Sequence, residues 1–580
     1  MTRIKKIAVV LCSLTLLIGV CVAMANKLAQ SGSSRGTPID PLMDQVKQLQ
    51  INLGAGAKFV SGGTLNALNV AQHWNTLKAG FGQPTTATSV SLAAINVTPG
   101  SLPSRVGGFT QSETSTAWCG TNAVVGFNDS GSFFETLGGS GISFIGYAQS
   151  SNAGSTSPTF GDKTFLPTAI GNFVGADPVV GCTSANNFYI SAVGFNCTAI
   201  NSGGQCLVAP GATANVTVSP SSDGGMTFGA PVAAVKKDVF THLLDKDWMA
   251  IDPTTGDIYV TYTDIDTTGS LTGCGLFGGF FPITRTAIEL VRSTNGGVTW
   301  SSPSEVTHVC SGVTFGGLVV VPQTSTVTGS QIGLALGLAP GLTTVYVAYE
   351  GFGLTTPNLN VREIDIAKST DNGATFGAPT KVHDVDCAGD CNDGILQGSI
   401  RIFELPSLTM GKGSQSGKIF ITWNDGDNPL ADPFPTGTGF YHFTDVLLVS
   451  SSDGGANWSP PVKVNNNPAS HTDHFQPAVS SDNSGRVAVC FYDRRNDVTN
   501  NFLIDRYCAR STNGGVSFGT NTRITGKSFL SVVGQDPLLV PTYMGDYDTL
   551  ASDTLNLTNG FRGGFADNIT GAPNVQENKF

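Results

Sequence analysis

Ser451-Ser-Asp-Gly-Gly-Ala-Asn-Trp458 decides the architecture, because the chain writes it repeatedly. It returns as Ser221-Ser-Asp-Gly-Gly-Met-Thr-Phe228, Ser293-Thr-Asn-Gly-Gly-Val-Thr-Trp300, Ser369-Thr-Asp-Asn-Gly-Ala-Thr-Phe376 and Ser511-Thr-Asn-Gly-Gly-Val-Ser-Phe518. A degraded copy opens at Ser150-Ser-Asn-Ala-Gly154, its aromatic displaced to Phe160. The shared pattern is Ser, any residue, Asp or Asn, any residue, Gly, two more, then Phe or Trp. The Asp or Asn side chain can accept backbone N–H groups two residues on and close an Asx turn. The glycine supplies a positive φ that other residues resist. The aromatic drops back into the core and fixes the turn against its sheet. The stretch is a hairpin turn with an anchor, used six times.

The Asp/Asn positions 152, 223, 295, 371, 453 and 513 are spaced by 71, 72, 76, 82 and 60 residues. Such a period means stacked copies of one supersecondary unit. Before each turn lies an apolar strand, as in Ile258-Tyr-Val-Thr-Tyr262, Val345-Tyr-Val-Ala-Tyr349 and Ile419-Phe-Ile-Thr-Trp423. A second strand leads into the turn (Asp445-Val-Leu-Leu-Val449), a third follows it (Pro461-Val-Lys-Val464), and another precedes the first (Gln476-Pro-Ala-Val479). Units of four strands repeated radially make an all-β propeller of antiparallel blades. Six turns but seven inner-strand units predict seven blades, with six as the alternative. The seventh unit runs from Tyr543-Met-Gly-Asp-Tyr547 through Gly560–Asp567 and stops there. N-terminal strands, with Ala87–Val97 as the candidate, are expected to complete it and close the ring.

The repeated turn resembles the Asp-box, or bacterial neuraminidase repeat, of the sialidase-like propellers, and the resemblance covers roughly residues 115 to 580. It implies that the turns form the outer rim of the face opposite the active site. For function the repeat says little, since many Asp-box propellers are not sialidases.

The chain divides into a signal peptide (1–25), a Gly/Ser/Thr-rich segment (26–110) and the propeller (111–580). Arg3, Lys5 and Lys6, an apolar run from Ile7 to Val22 and Ala23-Met-Ala25 read as a secretory signal. Its removal takes three positive charges from a net charge of −11, leaving −14. An acidic chain with 13% charged residues argues against nucleic acid as a partner. No stable membrane span is expected once the signal is gone. Twelve cysteines fall to ten without Cys12 and Cys21, an even number that suits an oxidising compartment. The pairs Cys490–Cys508, Cys197–Cys206 and Cys387–Cys391 are expected from their spacing, which leaves Cys119–Cys182 and Cys274–Cys310.

Loops that leave the second strands and enter the first should share one face. The second strands end on Asp129, Asn196, Asp264, Glu350, Asp425, Asp493 and Asp567, which predicts a collar of carboxylates. Carboxylates beside tyrosines and arginines are the ingredients of glycoside cleavage, including its tyrosine-nucleophile variant. The sialidase resemblance implies Asp247 as acid/base and Tyr547 or Tyr543 as nucleophile, with Glu404 as its base. It further implies Arg494, Arg495 and Arg401 as a carboxylate clamp. Asp493 and Trp248 complete the candidate substrate-binding set, against readings of Asp493–Arg494 as an internal ion pair and Trp248 as blade packing. Sialidases draw their first arginine from an Arg-Ile-Pro or Arg-Leu-Pro; this chain has neither, and Arg105 is the nearest arginine. No metal site is read, though acidic loops leave calcium possible. Two functions stand: a secreted exo-sialidase-like hydrolase of terminal acidic sugars, and a non-catalytic extracellular propeller that binds carbohydrate or protein.

Overall fold

The computed structural model describes residues 110–580 apart from short segments, chiefly 133–141, 201–205, 275–283, 320–324, 355–360, 390–393, 432–439 and 532–535. The expected signal peptide, the segment from 26 to 109 and the candidate strand Ala87–Val97 lie outside the described residues.

Seven antiparallel sheets follow one another along the chain. Blade 1 begins with Gln111–Cys119 and blade 2 with Asn172–Cys182. Blades 3 and 4 begin with His242–Ile251 and Thr326–Leu336. Blades 5, 6 and 7 begin with Ser407–Met410, His474–Ser481 and Leu550–Ser552. Blades 1 to 6 each keep the four-strand order of a meander, and blade 2 gains a short parallel strand, Ile142–Ser143. Seven blades are therefore present. Blade 7 does not stop at Asp567, because Asn574–Lys579 adds a third strand along Phe561–Asp567. That strand reads Asn-Val-Gln-Glu-Asn-Lys, too polar to be recognised by apolar alternation.

Second strands such as Ile258–Asp266 and Val487–Asp493 are buried along their whole length. A neighbouring blade covers each face, so both sides of the strand must be apolar or internally satisfied. The core consequently lies between blades: Tyr259, Ile288 and Leu290 of blade 3 pack against Val327, Val345 and Val347 of blade 4.

Among the described residues, blades 1 and 7 meet directly. Thr114 bridges Asp548 in parallel and donates its hydroxyl to that carboxylate at 2.8 Å. Gly564 N–H donates to Thr116 Oγ1, and Gly120 N–H to Asp553 Oδ1. Disulfides Cys119–Cys182, Cys274–Cys310 and Cys490–Cys508 form as expected, the first stapling blade 1 to blade 2. Cys387 is disulfide-bonded, while Cys391 and Cys197 lie outside the described residues.

The repeated turns share one hydrogen-bond set. In blade 4, Ser369 Oγ donates to Asp371 Oδ1, Gly373 N–H to Ser369 Oγ and Thr375 N–H to Asp371 Oδ1, at 2.7, 2.9 and 2.9 Å. Blades 2, 3, 5 and 6 repeat it. The carboxylate thus reaches the N–H four residues on rather than two. Gly373, at φ 78°, folds the chain back beneath it. In the degraded copy Asn152 Oδ1 still accepts a backbone N–H across the turn, but from Thr159, seven residues on, at 2.8 Å.

Candidate functional site

Each first strand runs from the face opposite these turns, and most carry a bulge near that end. Register shifts fall at Ser112/Ser115, Ala176/Val179, Asp245/Trp248, Thr328/Gln331 and Phe475/Ala478. Within them Glu113, Asp177, Lys246, Gly329 and Gln476 have φ of 52, 60, 46, 64 and 48°. A non-glycine residue held there costs on the order of 1 kcal/mol, so the surrounding contacts must impose it. At Gly329 a Cβ would meet Leu405 Cδ2 at 2.3 Å, so a side chain there would force Leu405 to move on top of the strain of its φ. The bulges set the ionisable side chains of blades 1, 2 and 3 beside the segment that enters blade 7.

Asp546 is the hub. It accepts from Lys246 Nζ at 2.9 Å and from an Arg401 amino group at 2.8 and 3.0 Å, and its N–H donates to Glu113 Oε1 at 2.9 Å. Lys246 Nζ and the Arg401 guanidinium each sit 4.8 Å from the Phe403 ring centre. Asn128 joins the carboxyls to a tyrosine, donating to Glu113 Oε2 and Tyr543 OH and accepting from Asp177 N–H. The Tyr543 oxygen also accepts from Ser112 Oγ at 2.9 Å. Tyr547 meets Trp248 edge to face at 5.6 Å and donates to Pro178 O at 3.4 Å. Asp247 Oδ2 accepts from Ser191 Oγ at 2.5 Å, while its Oδ1 has no partner.

Burial governs the charges. It pushes Asp177 up to about 6, reinforced by Asp245, and lifts Glu113 and Asp247 well above the usual carboxylate range. After burial, the neighbouring Asp177 is the next cause that raises Glu113, so the two carboxyls titrate as a pair. Burial opposes the Lys246 charge, but Asp546, Asp177, Asp245 and Glu113 overcome it and hold the ammonium above its ordinary range. Burial first, then Asp177 and Glu113, keeps Tyr547 protonated. Raised carboxylic acids beside tyrosines can exchange protons near neutral pH.

Asp247, Tyr543, Tyr547, Trp248 and Arg401 therefore come together. Glu404 lies on the neighbouring blades, accepting from Arg362 and from Ala388 N–H. Arg494 is fully buried in blade 6, donating to Asp473, Asn501 O and Gln397 O. Arg495 grips Asp493 at 2.7 Å, extends to Asn466 and Asn521, and stacks 4.3 Å from the Tyr507 ring centre. Much of the expected collar is likewise taken up by near neighbours: Asp264 holds Lys237 of blade 2 and His242 of its own blade, and Asp425 holds the Trp423 indole N–H. Glu350 is the exception, buried with neither oxygen partnered. Glu113, Asp177 and Lys246 were not singled out in the sequence. Their trace was polarity where a first strand should be apolar, as in Gln111-Ser-Glu-Thr-Ser-Thr116 and Asp245-Lys-Asp247. Among the described residues no group of three or more His, Cys, Asp or Glu side chains is placed to hold a metal ion.

Seven blades, six carrying the rim turn on the face away from this cluster, settle the architecture. The fold is a seven-bladed β-propeller. Among solved structures the chain is similar to a Hadza microbial sialidase, at 12% identity and TM-score 0.38, over 75% of this chain and 73% of that one. It is similar to a Trypanosoma rangeli sialidase at 13% and 0.38, over 73% and 58%. A polysaccharide lyase described as an ulvan lyase gives 9% and 0.44, over 84% and 94%. No protein-family profile and no curated protein matches the sequence.

Proposed function

We propose that this propeller is a secreted glycoside hydrolase working at the axis, on the face opposite the rim turns. The observation that carries the reading is Asp247, buried, with one unpartnered oxygen and a raised pKa, in the same cluster as Tyr547. A carboxylic acid whose pKa is raised by burial is poised to protonate a glycosidic oxygen. Tyr547 has the less committed hydroxyl of the two tyrosines, and Asp177, Glu113 and Asp247, rather than Glu404, are the carboxylates in its field.

In this scheme Tyr547 Oη attacks the anomeric carbon as its proton passes to the Glu113–Asp177 pair. The bond to the leaving oxygen breaks and that oxygen takes the Asp247 proton. Water, deprotonated by Asp247, then attacks the anomeric carbon as its bond to Tyr547 Oη breaks, Tyr547 recovers its proton from the Glu113–Asp177 pair, and the reaction is a retaining one. Trp248, partly exposed, offers an aromatic wall. The disulfides fit an extracellular setting. Among the described residues no helix is long and apolar enough to cross a membrane.

The alternative, a non-catalytic glycan-binding propeller, draws support from the depth of the cluster, where Tyr543 and Tyr547 are 5 and 8% exposed. Hydrolysis of a panel of chromogenic glycosides by the purified protein separates the two. The hydrolase reading expects turnover on at least one sugar that falls by about 10²–10⁴ in Asp247→Asn. Saturable glycan binding with no turnover supports the alternative.

A further inference from the structure

The rim turns repeat a strand register as well as a hydrogen-bond set. In each of blades 1 to 6 the residue three before the turn serine pairs with the residue four after the turn aromatic, as Leu290 does with Ser304, Ile366 with Thr380 and Cys508 with Thr522. The N–H just after the aromatic donates to the carbonyl just before the serine. Gly377 reaches Lys368 O at 3.0 Å and Gly519 reaches Arg510 O at 2.8 Å. Six residues after the aromatic, Val464 N–H meets Val446 O and Ile524 N–H meets Arg506 O. A fourth strand is therefore placed by the turn that precedes it.

Blade 7 keeps this register through its third strand. Phe561–Asp567 matches Val487–Asp493 in length, and where Val487 faces Ser511, Phe561 exchanges two backbone bonds with Phe580 at 2.8 Å. Phe580 thus takes the position of the turn serine.

A sequence signature says which residues come next. Four turns run on from their aromatic as Phe228-Gly-Ala-Pro231, Trp300-Ser-Ser-Pro303, Phe376-Gly-Ala-Pro379 and Trp458-Ser-Pro-Pro461. Outside the turns the chain writes this pattern of aromatic, Gly or Ser, any residue and Pro once, as Phe81-Gly-Gln-Pro84. Thr85 then follows as Thr380 follows Pro379. A proline is tolerated at the first step of an edge strand, where its missing N–H costs no ladder bond.

The far end of the third strand points the same way. In blades 5 and 6 the N–H groups of Val446 and Arg506 donate to Asn465 Oδ1 and Thr525 Oγ1, side chains met as the chain leaves the fourth strand. Val575 is their equivalent in blade 7, and its N–H donates to Gln111 Oε1 at 3.2 Å. Gln111 opens the first strand of blade 1, so blade 7 meets there the chain that arrives from the N-terminal side.

We infer that Phe81–Ala87 supplies the fourth strand of blade 7, antiparallel to Asn574–Lys579. The shared register places Gly82 N–H on Lys579 O, Thr85 opposite Glu577, Thr86 opposite Gln576 and Ala87 N–H on Val575 O. The strand begins ahead of Ala87–Val97, the stretch that apolar content alone suggests. It closes the seam across which Asp546 N–H donates to Glu113, and it does so whatever reaction the axis performs.

Paired cysteines test the register. Thr86 and Gln576 would form a non-hydrogen-bonded antiparallel pair, whose Cα atoms lie close enough for a disulfide. The full chain carrying Thr86→Cys with Gln576→Cys is compared with Val97→Cys with Gln576→Cys, each read by peptide mass spectrometry once its circular dichroism matches the parent. Linkage from position 86 and not from 97 is the expected result. Linkage from 97 at the same yield, or none from 86 in a folded variant, overturns the inference. Hydrogen exchange supplies a second readout on the unmodified chain, since a paired amide exchanges slowly. The Glu577 amide should exchange as slowly as that of Cys508, and Thr85→Pro should speed it. A fast Glu577 amide in the parent overturns the inference, and so does slow exchange that Thr85→Pro leaves unchanged.

Discussion

Aspartate serves this propeller in opposite ways on the rim and at the axis. On the rim Asp453 is exposed, and hydrogen bonds from Asn457 and its neighbours hold its carboxyl down at about 2. At the axis Asp177 is buried, and burial drives its carboxyl up to about 6. The rim carboxylate stays ionised and organises backbone within a span of eight residues. The axial carboxyls come from separate blades and compete for one proton and two cations. The rim is a closed local solution that can be copied. The axis is assembled once, from residues as distant as Glu113 and Asp546.

The sharpest test of that contrast is Lys246→Met. Removing the ammonium leaves Asp546 and its neighbours as underpaired buried charge, for an expected loss of about 3–5 kcal/mol in urea unfolding. A loss no larger than that of a rim variant would erase the distinction. The next largest effect is on pH dependence. The folded-state pKa of Asp177, about 6, lies above the ordinary 3.8. Between those values the folded protein holds a proton that the unfolded chain releases, so this group makes stability fall as pH rises through the window. Asp177→Asn should flatten that part of the stability profile, and an unchanged slope would contradict the assignment.

Rim changes should be smaller. Asp371→Ala removes hydrogen bonds to Ser369 and Thr375 and should cost about 1–2 kcal/mol while leaving any turnover intact. Smallest is the acid limb of the rim. The Asp453 pKa is depressed, so its contribution is present above pH 3.8 and disappears as pH falls through about 2. Comparing thermal midpoints of the parent and Asp453→Asn from pH 5 to 2 isolates it.

The same contrast explains what could be read from the sequence. The rim turns were legible because Ser, Asp, Gly and the aromatic act within one short span, and repetition exposed both blades and period. Cys490–Cys508 was legible for a similar reason, the two residues being directly paired on adjacent strands. The reach of the Asp side chain was misjudged by two residues, because the positive φ of the glycine tightens the turn beyond a simple Asx turn. The axis was half legible. Asp247, Tyr543 and Tyr547 stood out beside strand starts. Glu113 and Asp177 did not, because a bulge that turns one residue toward the axis leaves no periodic trace. Arg494 misled for a related reason: an arginine in an acidic loop suggests a clamp, but Asp473 and two backbone carbonyls already surround it.

The central claim is that chemistry resides at the axis and scaffold at the rim. The most direct measurement is steady-state hydrolysis of a broad glycoside panel by three proteins: the parent chain, Tyr547→Phe and Asp371→Ala. The account predicts turnover in the parent and in the rim variant, and its loss in Tyr547→Phe with the fold retained. Equal turnover in all three, or none from well-folded parent protein, would contradict it.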